Sequence, residues 1–190
     1  MAYYFLVAQL PYLSPQMSKP PFSSLSFRER CAEYLTKKEI ALFDACVAGF
    51  EEKKTVGSPG GSSFLSAWKQ REEALEYALA RLRAGRQKRE FMTEGFYVTP
   101  DIENQARTAF GMDNPLEAEL FLDKGRWDAL EGLLGRDYFG INVVYAYYIK
   151  LLLLERKASF QADEGFEEYK TRYDEILKKA PEQGAAGDSK

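Results

Sequence analysis

Phe64-Leu65-Ser66-Ala67-Trp68-Lys69-Gln70-Arg71-Glu72-Glu73-Ala74-Leu75-Glu76-Tyr77-Ala78-Leu79-Ala80-Arg81-Leu82 decides the fold class. At about 100° per residue, Leu65, Trp68, Leu75, Leu79 and Leu82 share an arc of roughly 100°, the signature of an amphipathic helix. The periodicity predicts one long helix from about Phe64 to Glu90. So narrow a stripe suits packing against one or two neighbours. Because it stops at Leu82, the basic end beyond it is expected to project.

Toward the N-terminus, Thr55-Val56-Gly57-Ser58-Pro59-Gly60-Gly61-Ser62-Ser63 reads as a flexible linker. Before it, Ser26-Phe27-Arg28-Glu29 and Thr36-Lys37-Lys38-Glu39 have capping-box spacing, so helices are expected to start at both. The second carries Ile40, Phe43, Val47 and Phe50 on one face. Pro11, Pro15, Pro20 and Pro21 enforce an extended connector. The opening Met1–Pro11 run is either a short strand or a buried helical turn. It lacks the basic start and cleavage site of a signal peptide.

Toward the C-terminus, 91–98 reads as a connector. Thr99-Pro100-Asp101 then starts a helix that stops at Gly111, and Asn114-Pro115-Leu116-Glu117 starts another, expected to stop at Gly125. Arg126–Leu134 is predicted as a separate short helix closed by Gly135. Asp137 is placed to cap a helix from Tyr138 to about Lys157, apolar all round and therefore central. Asn142 and Lys150 interrupt its apolar run, so it reads as core, not as a membrane span. A last amphipathic helix is predicted over 163–179, with a disordered tail over 181–190. The fold class is all-α: a multi-helix bundle, in one domain over residues 1–180, with one long helix and no substantial sheet. The order of shorter helices followed by a long one echoes weakly between the two halves.

Function classes narrow next. The 190 residues contain no histidine, which removes the usual general base and the commonest metal ligand. Cys31 and Cys46, the two cysteines, sit in apolar helical patterns and read as buried thiols. The net charge of −3 argues against a dedicated nucleic-acid binder. Carboxylates are the remaining acid–base groups: Glu72/Glu76, Glu164/Glu168 and Asp113/Glu117 have helical or helix-start spacing. All three read as solvated pairs, Glu72 as a rim position beside the apolar stripe. Gly57-Ser58-Pro59-Gly60-Gly61 lacks the residues of a phosphate cradle. No cofactor and no metal are expected, and the chain reads as a non-enzyme.

Arg81, Arg83, Arg86, Lys88 and Arg89 form the densest basic cluster. They either complement the dipole at a solvated helix end or dock an acidic partner; this is the candidate protein-contact surface. The 12 Tyr and 13 Phe suit a core and, in part, an interface.

Asn114-Pro115-Leu116-Glu117-Ala118-Glu119-Leu120-Phe121-Leu122-Asp123, with Trp127 and Leu130, resembles a segment of the C (or d) subunit of V/A-type ATPases. Val143-Val144-Tyr145-Ala146-Tyr147-Tyr148-Ile149-Lys150 with Leu154-Glu155 is similar to that family's late helix. Tyr3-Tyr4-Phe5-Leu6-Val7-Ala8-Gln9-Leu10-Pro11 resembles an uncharacterised bacterial family encoded in V/A-type ATPase operons. The resemblance implies an all-helical, non-catalytic coupling or assembly subunit with two contact surfaces, one for the rotor stalk and one for the membrane ring. It also implies a cytoplasmic location, reaching the inner membrane only through such partners, without nucleic acid and without direct insertion.

Overall fold

The computed structural model describes residues 2–46, 62–91, 97–160 and 172. Among them are eight α-helices and no strand: α1 (Ala2–Ala8), α2 (Ser24–Cys31), α3 (Lys37–Ala41), α4 (Phe43–Cys46), α5 (Ser63–Arg86), α6 (Pro100–Phe110), α7 (Pro115–Leu134) and α8 (Ile141–Ser159). The fold is all-α. The predicted helix over 163–179 apart from Arg172, the tail over 181–190, most of the 55–63 linker, residues 92–96, Val47 and Phe50 lie outside the described residues. Residues 1–158 form one unit, which holds the apolar cores, and residues 159–190 form a second.

Several boundaries differ from expectation. The N-terminal segment takes the helical one of its two expected forms, and α1 buries Leu6. Ser23, not Ser26, caps α2: its hydroxyl accepts from the Ser26 amide. The Thr36 box forms as expected, with the Glu39 carboxylate accepting from the Thr36 amide at 2.8 Å. Its helix nevertheless breaks at Leu42 into α3 and α4. Ser62 caps α5, which ends at Arg86 and not at Glu90. Pro100 opens α6, although the Thr99 side chain makes no capping bond. Asp137 accepts from the Gly140 amide at 2.7 Å, so α8 starts at Ile141.

The largest correction is at Gly125, which is not a stop: α7 runs through it for 20 residues to Gly135, where φ is +54°. Glycine mid-helix costs roughly 1 kcal/mol against alanine, so something must require it. A Cβ there would lie 1.9 Å from Gln105 Nε2. Gln105 is itself fixed, donating to the Leu122 carbonyl and accepting from Arg71 at 2.8 Å. Arg71 also donates to the Gly125 carbonyl. The glycine lets α6 and the α5 arginine approach the α7 backbone.

Two apolar cores result. The larger surrounds α8, whose Val144, Tyr145, Ile149, Leu151 and Leu154 are fully buried. Phe27 and Cys31 of α2, Phe43 of α4, Trp68 of α5 and Trp127 and Leu130 of α7 pack with them. The central role read for this helix is what the structure shows. The proline connector is tied to α8 by Tyr147 Oη donating to the Pro11 carbonyl and Lys157 Nζ to that of Pro15. Ser24 at the start of α2 is held at 2.7 Å by Glu155, through both its amide and its hydroxyl. The smaller core joins Leu75, Ala78, Leu79 and Leu82 of α5 to Ile102, Ala106 and Ala109 of α6 and Ala118, Phe121 and Leu122 of α7.

Gly125→Ala is expected to displace the Gln105 amide from its hydrogen bonds, a cost that outweighs the gain of about 1 kcal/mol in helix propensity and lowers stability by up to about 2 kcal/mol net. Combining it with Gln105→Ala should cost less than the sum of the two single changes, as read in denaturant titrations of the four proteins.

Candidate functional site

Between the two cores lies a layer of charge. On α5, Trp68 belongs to the larger core and Leu75 to the smaller, and Glu72 stands between them on the same face. On α7, Leu122 and Trp127 bracket Asp123 and Arg126 in the same way. Arg126 Nε donates to Glu72 at 2.8 Å and its Nη1 to Asp123 at 2.7 Å. Arg71 meets the other Glu72 oxygen at 2.6 Å, and Arg156 of α8 reaches Asp123 at 3.0 Å. Arg156 also pairs with Glu119. Three cations and three anions thus neutralise one another across α5, α7 and α8.

Glu72 is only 4% exposed, so it is not the solvated rim position expected of it. The signal was present: Glu72 lies inside the arc of the apolar stripe, one turn from Trp68. Its supposed partner Glu76 is exposed, and partial burial with the nearby Glu72 carboxylate raises its pKa against the pull of Arg126. Asp113 and Glu117 flank the exposed start of α7, and Glu164 and Glu168 lie outside the described residues. Burial pushes the Asp123 carboxyl above the ordinary range, against the pull of Arg156 and Arg126. Its Oδ2 is buried without a hydrogen-bond partner among the described residues. Burial opposes the charge on Arg126, but Glu72 and Asp123 outweigh it and raise its pKa. Apart from that oxygen these groups pair with one another, which is the pattern of a structural network; no cluster of Cys, Asp and Glu among the described residues is placed to hold a metal.

The basic residues occupy the end of α5. Arg81 pairs with Glu103 of α6 at 3.0 Å, and Arg107 joins the same carboxylate at 2.6 Å. The Arg86 guanidinium lies 5.8 Å from the centre of the Phe110 ring. Leu79 and Leu82 pack against the smaller core that α5 shares with α6 and α7, and Arg86 in the last turn of α5 still lies against Phe110 of α6. Arg83, Lys88 and Arg89 are exposed there.

A second surface escaped the sequence reading. Tyr4 and Phe5 of α1 are 51% and 64% exposed, and Phe139, in the α7–α8 turn, is 50% exposed. The Tyr4 and Phe139 rings meet with centroids 4.9 Å apart. A third feature is an open groove of ≈730 Å³ among α5, α6 and α7. Ala67, Ala74, Gly125, Ala129 and Gly132 contribute small side chains to it, and Tyr97 and Leu133 stand exposed at it.

The residues that carried the family resemblance serve as caps and core. Asn114 Oδ1 accepts from the Leu116 amide, Pro115 is the first helical residue, and Asn114 Nδ2 reaches the Glu117 carboxylate. Trp127 lies buried beneath the Lys150 ammonium, 5.0 Å from its ring centre. Tyr145 donates to the Glu39 carbonyl, and Tyr148 packs edge-on against Phe43.

By fold and surface this is an all-α protein with a charge-bridged interior and separate basic and aromatic faces. No family model, curated protein or solved structure matches the chain. No described helix is long and apolar enough to cross a membrane.

Glu72→Ala leaves buried arginines without their counter-ion and is expected to cost about 3–5 kcal/mol, measured by urea unfolding. Asp123 should behave oppositely to an ordinary carboxylate. Its folded pKa is raised, so the native state binds the proton first and its contribution to stability grows as pH falls through that pKa. Wild type should therefore gain stability relative to Asp123→Asn on acidification, until the ordinary carboxylate range is reached.

Proposed function

We propose that this chain is a non-catalytic accessory or central-stalk component of a V/A-type ATPase, coupling or assembling the rotor in the manner of the C (or d) subunit. The observation that carries the reading is the spacing of its two exposed faces. The basic end of α5 follows Leu79 and Leu82, which share the smaller core with Ala118 and Phe121 near the start of α7. The aromatic face lies just beyond the other end of α7, at Phe139. α7, 20 residues and about 30 Å long, runs between the two regions. A coupling subunit needs two contact surfaces on a stiff body, and an aromatic face flanked by polar residues suits protein contact. Tyr138, 68% exposed, extends that face.

The resemblance of 114–123 and 143–150 to the C (or d) subunit supplies the particular partner, the stalk or ring. Location follows the partner: cytoplasmic, at the periphery of the inner membrane. A second reading is a general helical adaptor unrelated to the ATPase. It is favoured by the roles of Asn114, Trp127, Tyr145 and Tyr148, which form caps and core, so that their likeness speaks to fold and not to an interface.

Pull-down of the tagged protein from its native membranes at low salt, read by mass spectrometry, separates the two. Head, stalk or ring subunits should be recovered, and Phe5→Asp or Phe139→Asp should abolish the recovery with little change in melting temperature. Capture of soluble proteins alone, with no ATPase subunit above background, would leave the adaptor.

A further inference from the structure

The end of α5 carries a backbone feature that helix capping alone does not call for. Gln87 ends the helix, Lys88 donates to the Gly85 carbonyl at 3.2 Å, and Arg89 donates to that of Ala84 at 3.0 Å. These are the paired bonds of a Schellman stop, whose left-handed position is ordinarily glycine. Here it is Lys88, at φ +52°, the one described non-glycine residue with positive φ. A lysine there bears strain that glycine would not. The dipole at a helix end favours nearby cations but does not ask for one at the strained position itself. Strain retained at an exposed charged residue points to use of that residue.

The surroundings agree. The chain reverses after Lys88, and Phe91 returns to stack edge-on with Tyr77, its ring centroid 5.2 Å away. Lys88 and Arg89 are thereby left at the apex, with Arg83 exposed on the turn below. Residues 81–90 hold five cations and one acid in a chain whose net charge is −3. Glu103 shows the chemistry this end accepts, since Arg81 and Arg107 share its carboxylate. Four of the five cations are arginines, whose planar forks match carboxylates.

We infer that the apex of α5, with Arg83, Lys88 and Arg89 as its contacts, docks a segment of a partner protein rich in Asp and Glu carboxylates. The inference rests on the reading of this end as a contact surface and adds its chemistry. Other polyanions fit less well. Among the described residues 80–91 and 100–112 no large apolar side chain is exposed, so these residues offer no wedge for a lipid surface and no open ring for stacking bases.

The test uses the full chain and a labelled Glu-rich peptide, with its Gln-substituted twin, followed by fluorescence anisotropy at low and moderate salt. The Glu peptide should bind, the twin should not, and binding should weaken with salt. Lys88→Gln should weaken it roughly two- to fivefold with the melting temperature unchanged. Lys88→Gly should weaken binding equally yet raise the melting temperature by about 2–4 °C, since strain is released. Lys88→Arg should restore binding, and Arg83→Glu with Arg89→Glu should reduce it by about tenfold or more. Equal binding of the two peptides, or Lys88→Gln binding like wild type, overturns the proposal. So does tighter binding to anionic phosphatidylserine vesicles or to single-stranded RNA. Peptide binding that survives an empty membrane pull-down would reject the ATPase partner and keep the acid-docking surface; the converse would reject the surface chemistry alone.

Discussion

The pairing of Glu72 with Arg126, at the centre of a neutral layer of three cations and three anions, is the constraint on which the rest of the structure depends. Ion pairs of this kind are poor sources of raw stability, because taking each charge out of water costs several kcal/mol. They are effective at excluding alternatives. The apolar stripe of α5 by itself is compatible with several registers against α7, since leucines are interchangeable partners. A slip by one turn, about 5.4 Å, would break the buried Glu72–Arg126 pair and leave each group only its neighbour on the same helix, Arg71 or Asp123. The observed register is the one that joins the two helices through Glu72 and Arg126.

That register settles much else. It places Trp68 and Trp127 on one side of the layer and Leu75 and Leu122 on the other, so one chain builds two cores and not one. It brings Arg71 against the Gly125 carbonyl and the Gln105 amide, which fixes α6 as well. Arg156 extends the pairing to α8 through Asp123. Four helices are thus indexed to one another by polar contacts, and dispersion fills in around them.

The all-α class, the existence of most helices and the central place of α8 were legible because period and caps are local signals. Thr36 with Glu39, Asn114 with Pro115, and Gly135 behave as their local chemistry dictates. What was not legible is what depends on two segments at once. Gly125 has the chemistry of a stop, and only the Gln105 side chain lying across it turns it into a close-approach residue. Glu72 looks like a rim acid until Arg126, 54 residues away, is placed beside it. The Ser26 box failed for a smaller reason: Ser23 competes for the same amide and wins, since Glu155 then holds the next residue. The α5 end was read correctly as basic. Its strained lysine was invisible, because φ is a property of the turn that Phe91 closes by packing on Tyr77.

The same layer bears on function through stiffness. Two faces held on one helix can transmit force or orientation only if that helix does not slide or rotate against its neighbours. Apolar packing alone permits small sliding of helices, the basis of shear motions. A layer of buried charge makes sliding costly, because each displaced pair loses its attraction while its groups remain out of water. α7 is the helix most tightly held in this way, with partners on α5, α6 and α8, and it is also the helix that separates the basic end from the aromatic face. The elements that would have to be rigid for a coupling or scaffolding role are those the charge layer clamps. Of the residues offered for contact, Lys88 and Phe139 lie on turns beyond it, where local adjustment leaves the clamp intact.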